Sequence, residues 1–308
     1  MERLDGGSAV PDRFRGGIVA LGNFDGFHLG HQAVVGRAVA RARAEGRPAL
    51  VATFDPHPVR YFRPDTPAFR LTSLDQRERL FAAAGVDAMV VFHFDAALAG
   101  LSAEAFVRER LVANLGAAGV VTGEDFTFGR AKGGNVATLR TFGEALGFVA
   151  ETVAPVALDG ETVSSSRIRD LLRVGDPLGA ARLLTRPFAI EGEVRHGDQV
   201  GRTIGYPTAN IDMGRYLRPA YGIYAVRGRL PDGRVLDGAA NLGIRPTFDP
   251  PKELLEPYFF DFSGDLYGQC IEVELIHYLR PEAKFDGLDA LMRQMDADCV
   301  KARELLAE

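Results

Sequence analysis

Cysteine is nearly absent: the 308 residues hold two, Cys270 and Cys299, in unrelated contexts. Two cysteines make neither a disulfide framework nor a four-cysteine zinc site, so a reducing cytoplasm is the expected compartment. Both read as packing residues, since neither has a paired histidine nearby in the chain. Positive charge is also in short supply. Lysine and arginine number 36 against 41 aspartates and glutamates, a net charge of −5. That balance gives no electrostatic basis for a nucleic-acid or membrane surface. No apolar run reaches the roughly 18 residues of a membrane span. Residues 1–15 are polar and lack the apolar core of a signal peptide. Neither a fixed-period repeat nor a low-complexity tract occurs. What remains is a chain long enough for two domains of roughly 150 residues each.

The two halves differ in texture. Over residues 16–150 short apolar runs alternate with helical periodicity: Ile18 to Leu21, Ala49 to Phe54, Ala88 to Phe92 and Val120 to Thr122 read as strands. Between them Gly30 to Ala44, Gln76 to Ala84, Ala103 to Leu115 and Asn135 to Leu146 read as helices. This rhythm predicts a parallel sheet with helices on both faces and ligands at the carboxyl ends of its strands. After about residue 185 strands follow one another closely, with Pro231-Asp232-Gly233 as a hairpin signal, which predicts an antiparallel barrel or sandwich. A helix from Gly287 to Ala307 closes the chain, with Leu288, Leu291, Met295, Cys299 and Ala302 on one face. The boundary falls at residues 176–187, giving domains 1–184 and 185–308.

Gly22-Asn23-Phe24-Asp25-Gly26-Phe27-His28-Leu29-Gly30-His31 lies where the first strand feeds a helix. His28 and His31, three apart, share a face on helical geometry. A helix start offers free N–H groups, and glycines 22, 26 and 30 open the backbone to a large anion. On these residues alone a phosphate cradle, a two-histidine metal pair and a structural glycine turn all stay open. Gly-x-Gly-x-x-Gly is missing, which leaves a dinucleotide-binding oxidoreductase unsupported. Ser164-Ser165-Ser166-Arg167-Ile168-Arg169 suits a helix cap followed by phosphate partners, or a capped surface helix with solvated arginines.

The run Asn23 to His31 resembles the His-x-Gly-His signature of the nucleotidylyltransferase superfamily. In the form N-F-D-G-x-H-x-G-H it is similar to the adenylyltransferase module of the prokaryotic bifunctional riboflavin kinase/FAD synthetase family. The resemblance implies that His28, His31, Gly22, Asn23, Phe24, Asp25 and Gly30 hold ATP phosphates. Thr53 to Pro58 resembles a second motif of that module, implying that Phe54, His57 and Pro58 line a flavin and phosphate pocket. Gly123 to Arg130 resembles a third, with Asp125 at the polar edge of the flavin and Phe128 at its face. The serine-arginine run resembles a fourth, with Ser164 and Arg167 on phosphates. The third motif departs from the family at Asn135, where an aspartate is usual.

In the second half, His196 to Thr203 fails as a P-loop: the glycine spacing is one short, and Arg202 stands where lysine belongs. Thr208 and Asn210 alternate, so on an extended chain their oxygens face one side and suit Mg2+ shared with ATP phosphates. A proline turn with solvated Thr and Asn explains the same residues. Gly201 to Asn210 resembles the riboflavin kinase signature, which implies ATP binding by Gly201, Gly205, Thr208 and Asn210, with Thr208 and Asn210 on the metal. Asn241-Leu242-Gly243 and Asp265 to Gly268 also match. Glu256 falls where the family keeps the base that takes the ribityl hydroxyl proton; Asp261 and Asp265 are the competing acids nearby. Pro257 replaces a usual valine and predicts an edge or irregular strand there.

The resemblance spans residues 16 to 306. It implies an α/β Rossmann-like nucleotidylyltransferase domain, then an antiparallel β-barrel kinase domain with a C-terminal helix. Its substrates and products would be riboflavin, FMN, FAD, ATP, ADP and pyrophosphate, with Mg2+. The expected form is a cytoplasmic monomer or weak homo-oligomer without nucleic-acid or membrane partners.

Overall fold

The computed structural model describes residues 1–196, 205–245 and 252–308. By contacts the chain divides into two units, Met1–Pro67 with Leu74–Ser164, and Ala68–Ser73 with Ser165–Glu308. The serine-arginine run is therefore split, with Ser164 ending the first unit and Arg167 in the second.

Six parallel strands form the first unit's sheet: β1 (Glu2–Asp5), β2 (Ile18–Leu21), β3 (Ala49–Asp55), β4 (Ala88–His93), β5 (Gly119–Gly123) and β6 (Val149–Val153). Their spatial order is β1-β4-β3-β2-β5-β6. The chain winds outward from β2 through β3 to β4, then returns to β5 on the other side of β2. That reversal makes the carboxyl ends of β2 and β5 a topological switch point, the usual ligand crevice of such sheets. Alternation along the strands assigns the two faces. Ile18 and Ala20 pack with Val35, Ala38 and Ala42 of α1 (Leu29–Glu45). Val19, Leu21 and Leu50 turn the other way, toward Phe106, Leu111 and Leu139.

Two elements depart from the sequence expectation. Strand β1 was not foreseen, because it pairs with β4 through its backbone while its side chains stay largely exposed. The expected helix from Ala103 to Leu115 is α-helical only at its start and winds as a π-helix over Phe106–Asn114. Phe106, Val107, Leu111 and Leu115 are all buried. Their spacing of four to five residues exceeds the α repeat, and the wider winding keeps them on the sheet.

In the second unit β9 (Phe188–Arg195), β10 (Asn210–Asp212), β11 (Gly222–Arg229), β12 (Val235–Arg245), β13 (Lys252–Phe259) and β14 (Cys270–Arg280) close a barrel. β7 (Ala157–Leu158) and β8 (Glu161–Thr162) form a small ribbon in the first unit. All barrel pairings are antiparallel, in the order β10-β13-β12-β11-β14-β9. Pro257 corrects the expectation of an edge or irregular strand, since β13 keeps one unbroken register with β12 through it. The physical reason is on the other side. The Pro257 carbonyl accepts from Ala209 N at 2.9 Å. A strand residue's N–H and C=O point the same way, so the missing N–H faces the three-residue β10 and costs no β12 bond.

The C-terminal helix (Leu288–Leu306) lays Ala302 and Leu306 on Ala225, Ala239 and Phe260 of the barrel wall. Cys299 packs beside them, and burial pushes its thiol up to about 11. Two expectations fail here: Leu288 and Cys270 are exposed. Leu288 begins the helix before it reaches the wall, and Cys270 opens β14 at the barrel rim. Arg280 on β14 fastens the helix through Asp298, with contacts of 2.6 to 3.1 Å.

Candidate functional site

The first constellation occupies the switch point. After β2 the chain turns sharply, with Phe24, Gly26 and Phe27 at φ of 51°, 89° and 44°. Positive φ at two phenylalanines is strained and persists because both rings are anchored edge-on against Phe81. His28 does not lie inside the helix as its spacing suggested. It is the N-cap of α1, and its Nδ1 accepts from the His31 backbone N–H at 3.4 Å. That bond leaves the proton of a neutral His28 ring on Nε2. The His28 and His31 rings stack with centroids 3.6 Å apart, and Phe24 meets His31 edge-on.

The glycines serve the protein's own rings. A Cβ at Gly22 would lie 3.0 Å from the Phe24 ring, and one at Gly30 would lie 3.2 Å from His28. Asp25 is buried in the same turn. The Asn23 carbonyl accepts from Thr53 Oγ1 at 2.9 Å and from Arg77 Nη1 at 3.0 Å. Its side-chain Oδ1 is buried without a hydrogen-bond partner among the described residues, as suits an acceptor kept for a ligand. Arg77 escaped sequence reading. It sits within a helix (Leu74–Ala83) at 4% exposure, and an arginine at a core position was its only signal.

The residues implied for the flavin divide into supports and surfaces. His57 caps a short helix (Pro58–Phe62), accepting from Val59 N at 3.2 Å, with Pro58 opening its first turn. Phe54 is core, packed on Phe92, Phe94 and Phe106. Asp125 is exposed just beyond β5. Phe126 stacks on Phe128, which leans on Phe106. Tyr61 and Phe62 extend this aromatic row through Phe94, and Phe62 is 64% exposed. The row follows the carboxyl ends of β3, β4 and β5; Tyr61, Phe62 and Phe94 were missed because each lies outside the recognised motifs. Asn135 is a helix cap, its Oδ1 accepting from Thr138 N at 3.0 Å. In the second unit Arg169 donates to the Phe69 carbonyl at 2.8 Å.

The second constellation lies on the barrel. Thr208 and Asn210 both line a cavity of about 620 Å³, with His196, Pro257, Phe259 and Tyr267. Gly205 holds φ at 88°, and Gly201 lies outside the described residues. Glu256 does not line that cavity. Register explains its position. Ile211 pairs with Leu255, and the bond from Ala209 N to the Pro257 carbonyl continues that ladder, which sets Asn210 across from Glu256. On the other side Glu256 pairs with Asn241 of β12. Directly opposed residues share a face, so Asn210, Glu256 and Asn241 form one row across three strands. Ile211 and Leu255 point into the barrel, fully buried.

The competing acids are engaged. Asp261 accepts from Arg303 at 2.7 Å, and this partner holds its carboxyl below the usual carboxylate range. Asp265 accepts from Tyr267 N at 2.9 Å and so shapes its own turn.

A family model for FAD synthetase matches residues 10–167, and one for riboflavin kinase matches residues 184–306. A bifunctional riboflavin kinase/FMN adenylyltransferase of Haemophilus influenzae is 39% identical over 94% of both chains. Enzymes of the same description from Pseudomonas fluorescens and Escherichia coli are 40% and 37% identical, over 95% and 94% of this chain and 94% and 92% of theirs. A crystal structure from Streptococcus pneumoniae, described as a macrolide-efflux protein, superposes with a TM-score of 0.86 at 31% identity over 97% of each chain. Among the described residues no helix is long and apolar enough to cross a membrane. Carrying both domains in the same order as these relatives, the chain belongs to the bifunctional riboflavin kinase/FMN adenylyltransferase family.

Proposed function

We propose that this chain runs two successive ATP-dependent reactions. The barrel phosphorylates riboflavin to FMN and releases ADP, and the α/β unit transfers AMP from a second ATP to FMN, giving FAD and pyrophosphate. The catalytic groups divide between residues 1–184 and 185–308. The observation that carries the reading is the row Asn210–Glu256–Asn241, which sets a carboxylate beside the Thr208–Asn210 edge of a cavity.

In the kinase reaction Glu256 takes the proton of the ribityl 5′-hydroxyl as its oxygen attacks the γ-phosphorus; the bond from that phosphorus to the ADP oxygen breaks, and ADP leaves. Neutral oxygens at Thr208 and Asn210 are hard donors that fit Mg2+. Phosphate oxygens of the nucleotide and water would complete its coordination. Held there, the ion would screen the phosphate charge. In the second reaction a phosphate oxygen of FMN attacks the α-phosphorus of ATP. The Nε2–H of His28, His31 and the N-terminus of α1 stabilise charge on the departing pyrophosphate. Both steps are direct displacements, so positioning and charge stabilisation supply most of the acceleration. The use of ATP and a count of only two cysteines support a cytoplasmic site of action.

Incubating the chain with riboflavin, ATP and Mg2+ and separating the flavins by chromatography tests the reading. FMN appears first and FAD follows; riboflavin recovered unchanged would sink it.

A further inference from the structure

Asn241 stands beside Glu256 on the side away from Asn210, so its Cβ lies about 4.5–5.5 Å from that of Glu256. Its amide has one orientation. Nδ2 donates to Glu282 Oε1 at 3.3 Å. Exchanging the amide oxygen and nitrogen would face two acceptors toward each other, so the network fixes the assignment. Glu282 is itself seated over Gly243, where any Cβ would collide with its carboxylate. Asn241 Oδ1 is thereby turned away from Glu282. It is buried, with no hydrogen-bond partner among the described residues.

A residue kept only for folding would have both ends of a buried amide satisfied, because an unmet buried carbonyl is costly. Here the end facing the exposed Glu282 is satisfied and the end buried in the row is not. The acceptor is neutral as well. A carboxylate in its place would repel Glu256, Glu282 and the phosphates of a nucleotide, whereas an amide oxygen accepts a hydrogen bond without adding charge.

We propose that Asn241 is a substrate-positioning residue that reads a polyol chain: its Oδ1 accepts a hydrogen bond from one hydroxyl of the sugar-alcohol chain and thereby holds the reacting hydroxyl against Glu256. The assignment rests on the kinase reading above. Successive hydroxyls each carry one donor, and the row offers two adjacent acceptors. Glu256 receives the proton that is transferred, and Asn241 receives the one that stays. No bond to Asn241 is made or broken. Glu282 sets the amide's orientation from outside the site.

The test uses the full chain with Asn241→Leu and Asn241→Ala, in FMN formation from riboflavin, ATP and Mg2+. The probe is lumiflavin, the same ring system with a methyl group in place of the polyol, used as a competitive inhibitor of FMN formation. Loss of one positioning hydrogen bond lowers kcat/KM for riboflavin about tenfold, or about 1.4 kcal/mol. The inhibition constant of lumiflavin stays within about twofold, because it never used Oδ1. Circular dichroism and the denaturant midpoint of the barrel report that each variant is folded, and FAD formation from supplied FMN reports that the other unit is intact. Parallel weakening of riboflavin and lumiflavin would make Asn241 a packing residue and overturn the proposal. So would riboflavin turnover within about twofold of the parent in both variants. Absence of FMN from the parent chain overturns the kinase reading and this assignment together; normal FMN production by the variants overturns this assignment alone.

Discussion

Replacing Glu256 by glutamine keeps the side chain's length and one carbonyl oxygen but removes the group that accepts a proton. A positioned general base contributes about 10²–10⁴ in rate. The surroundings of Glu256 decide where in that range the loss falls. Its flanking neighbours in the row, Asn210 and Asn241, are amides and cannot serve as bases. Asp261 is committed to Arg303, and Asp265 to the Tyr267 N–H. Glu253 is one residue out of phase on β13, on the opposite face, and bound to Arg218 at 2.6 Å. With no substitute carboxylate in the row, the expected loss is about 10³, or about 4 kcal/mol of barrier. The assay is FMN formation at saturating riboflavin and ATP, followed by chromatography, with riboflavin affinity measured separately and expected within a few-fold. FAD formation from supplied FMN should not change, since none of the groups expected to serve it lies on a barrel strand. Near-normal turnover by Glu256→Gln, with Asp261→Asn or Asp265→Asn losing a hundredfold, would refute the assignment of the base.

His31→Ala removes one imidazole of the stacked pair, so FAD formation from FMN should fall by about 10²–10³ with FMN formation nearly unchanged; equal loss of both would indicate misfolding, visible by circular dichroism. Asp298→Ala strands the Arg280 guanidinium against the C-terminal helix and should cost about 3–5 kcal/mol, read as a lower denaturant midpoint for the barrel. Residues 185–308 expressed alone should make FMN and no FAD. The fragment 165–308 should unfold at higher denaturant, because the helix Pro177–Leu184 packs on β9 and β14. Equal midpoints would show that this helix adds nothing to the barrel.

The sequence by itself determined the two textures, the order of the motifs and most element boundaries. Strand and helix periodicities are local: Ile18 to Leu21 is apolar on both faces because both are covered, and hairpin signals lie within a few residues of one another. The motif residues were legible for the same reason, each standing in a short run. Only the tertiary structure decided which of them meet. Asn210, Glu256 and Asn241 come from three separate strands, and a shift of one residue in any register would send one of them to the other face. His28 became a cap through its backbone geometry, which spacing alone could not distinguish from a first helical turn. Arg77 supports the Asn23 turn from across 54 positions of sequence. Strand β1 pairs through backbone groups that every sequence carries, and the π-winding after Ala105 answers to the sheet beneath it. Contacts of this kind depend on which segments are packed against each other, and no local pattern of residue types encodes that.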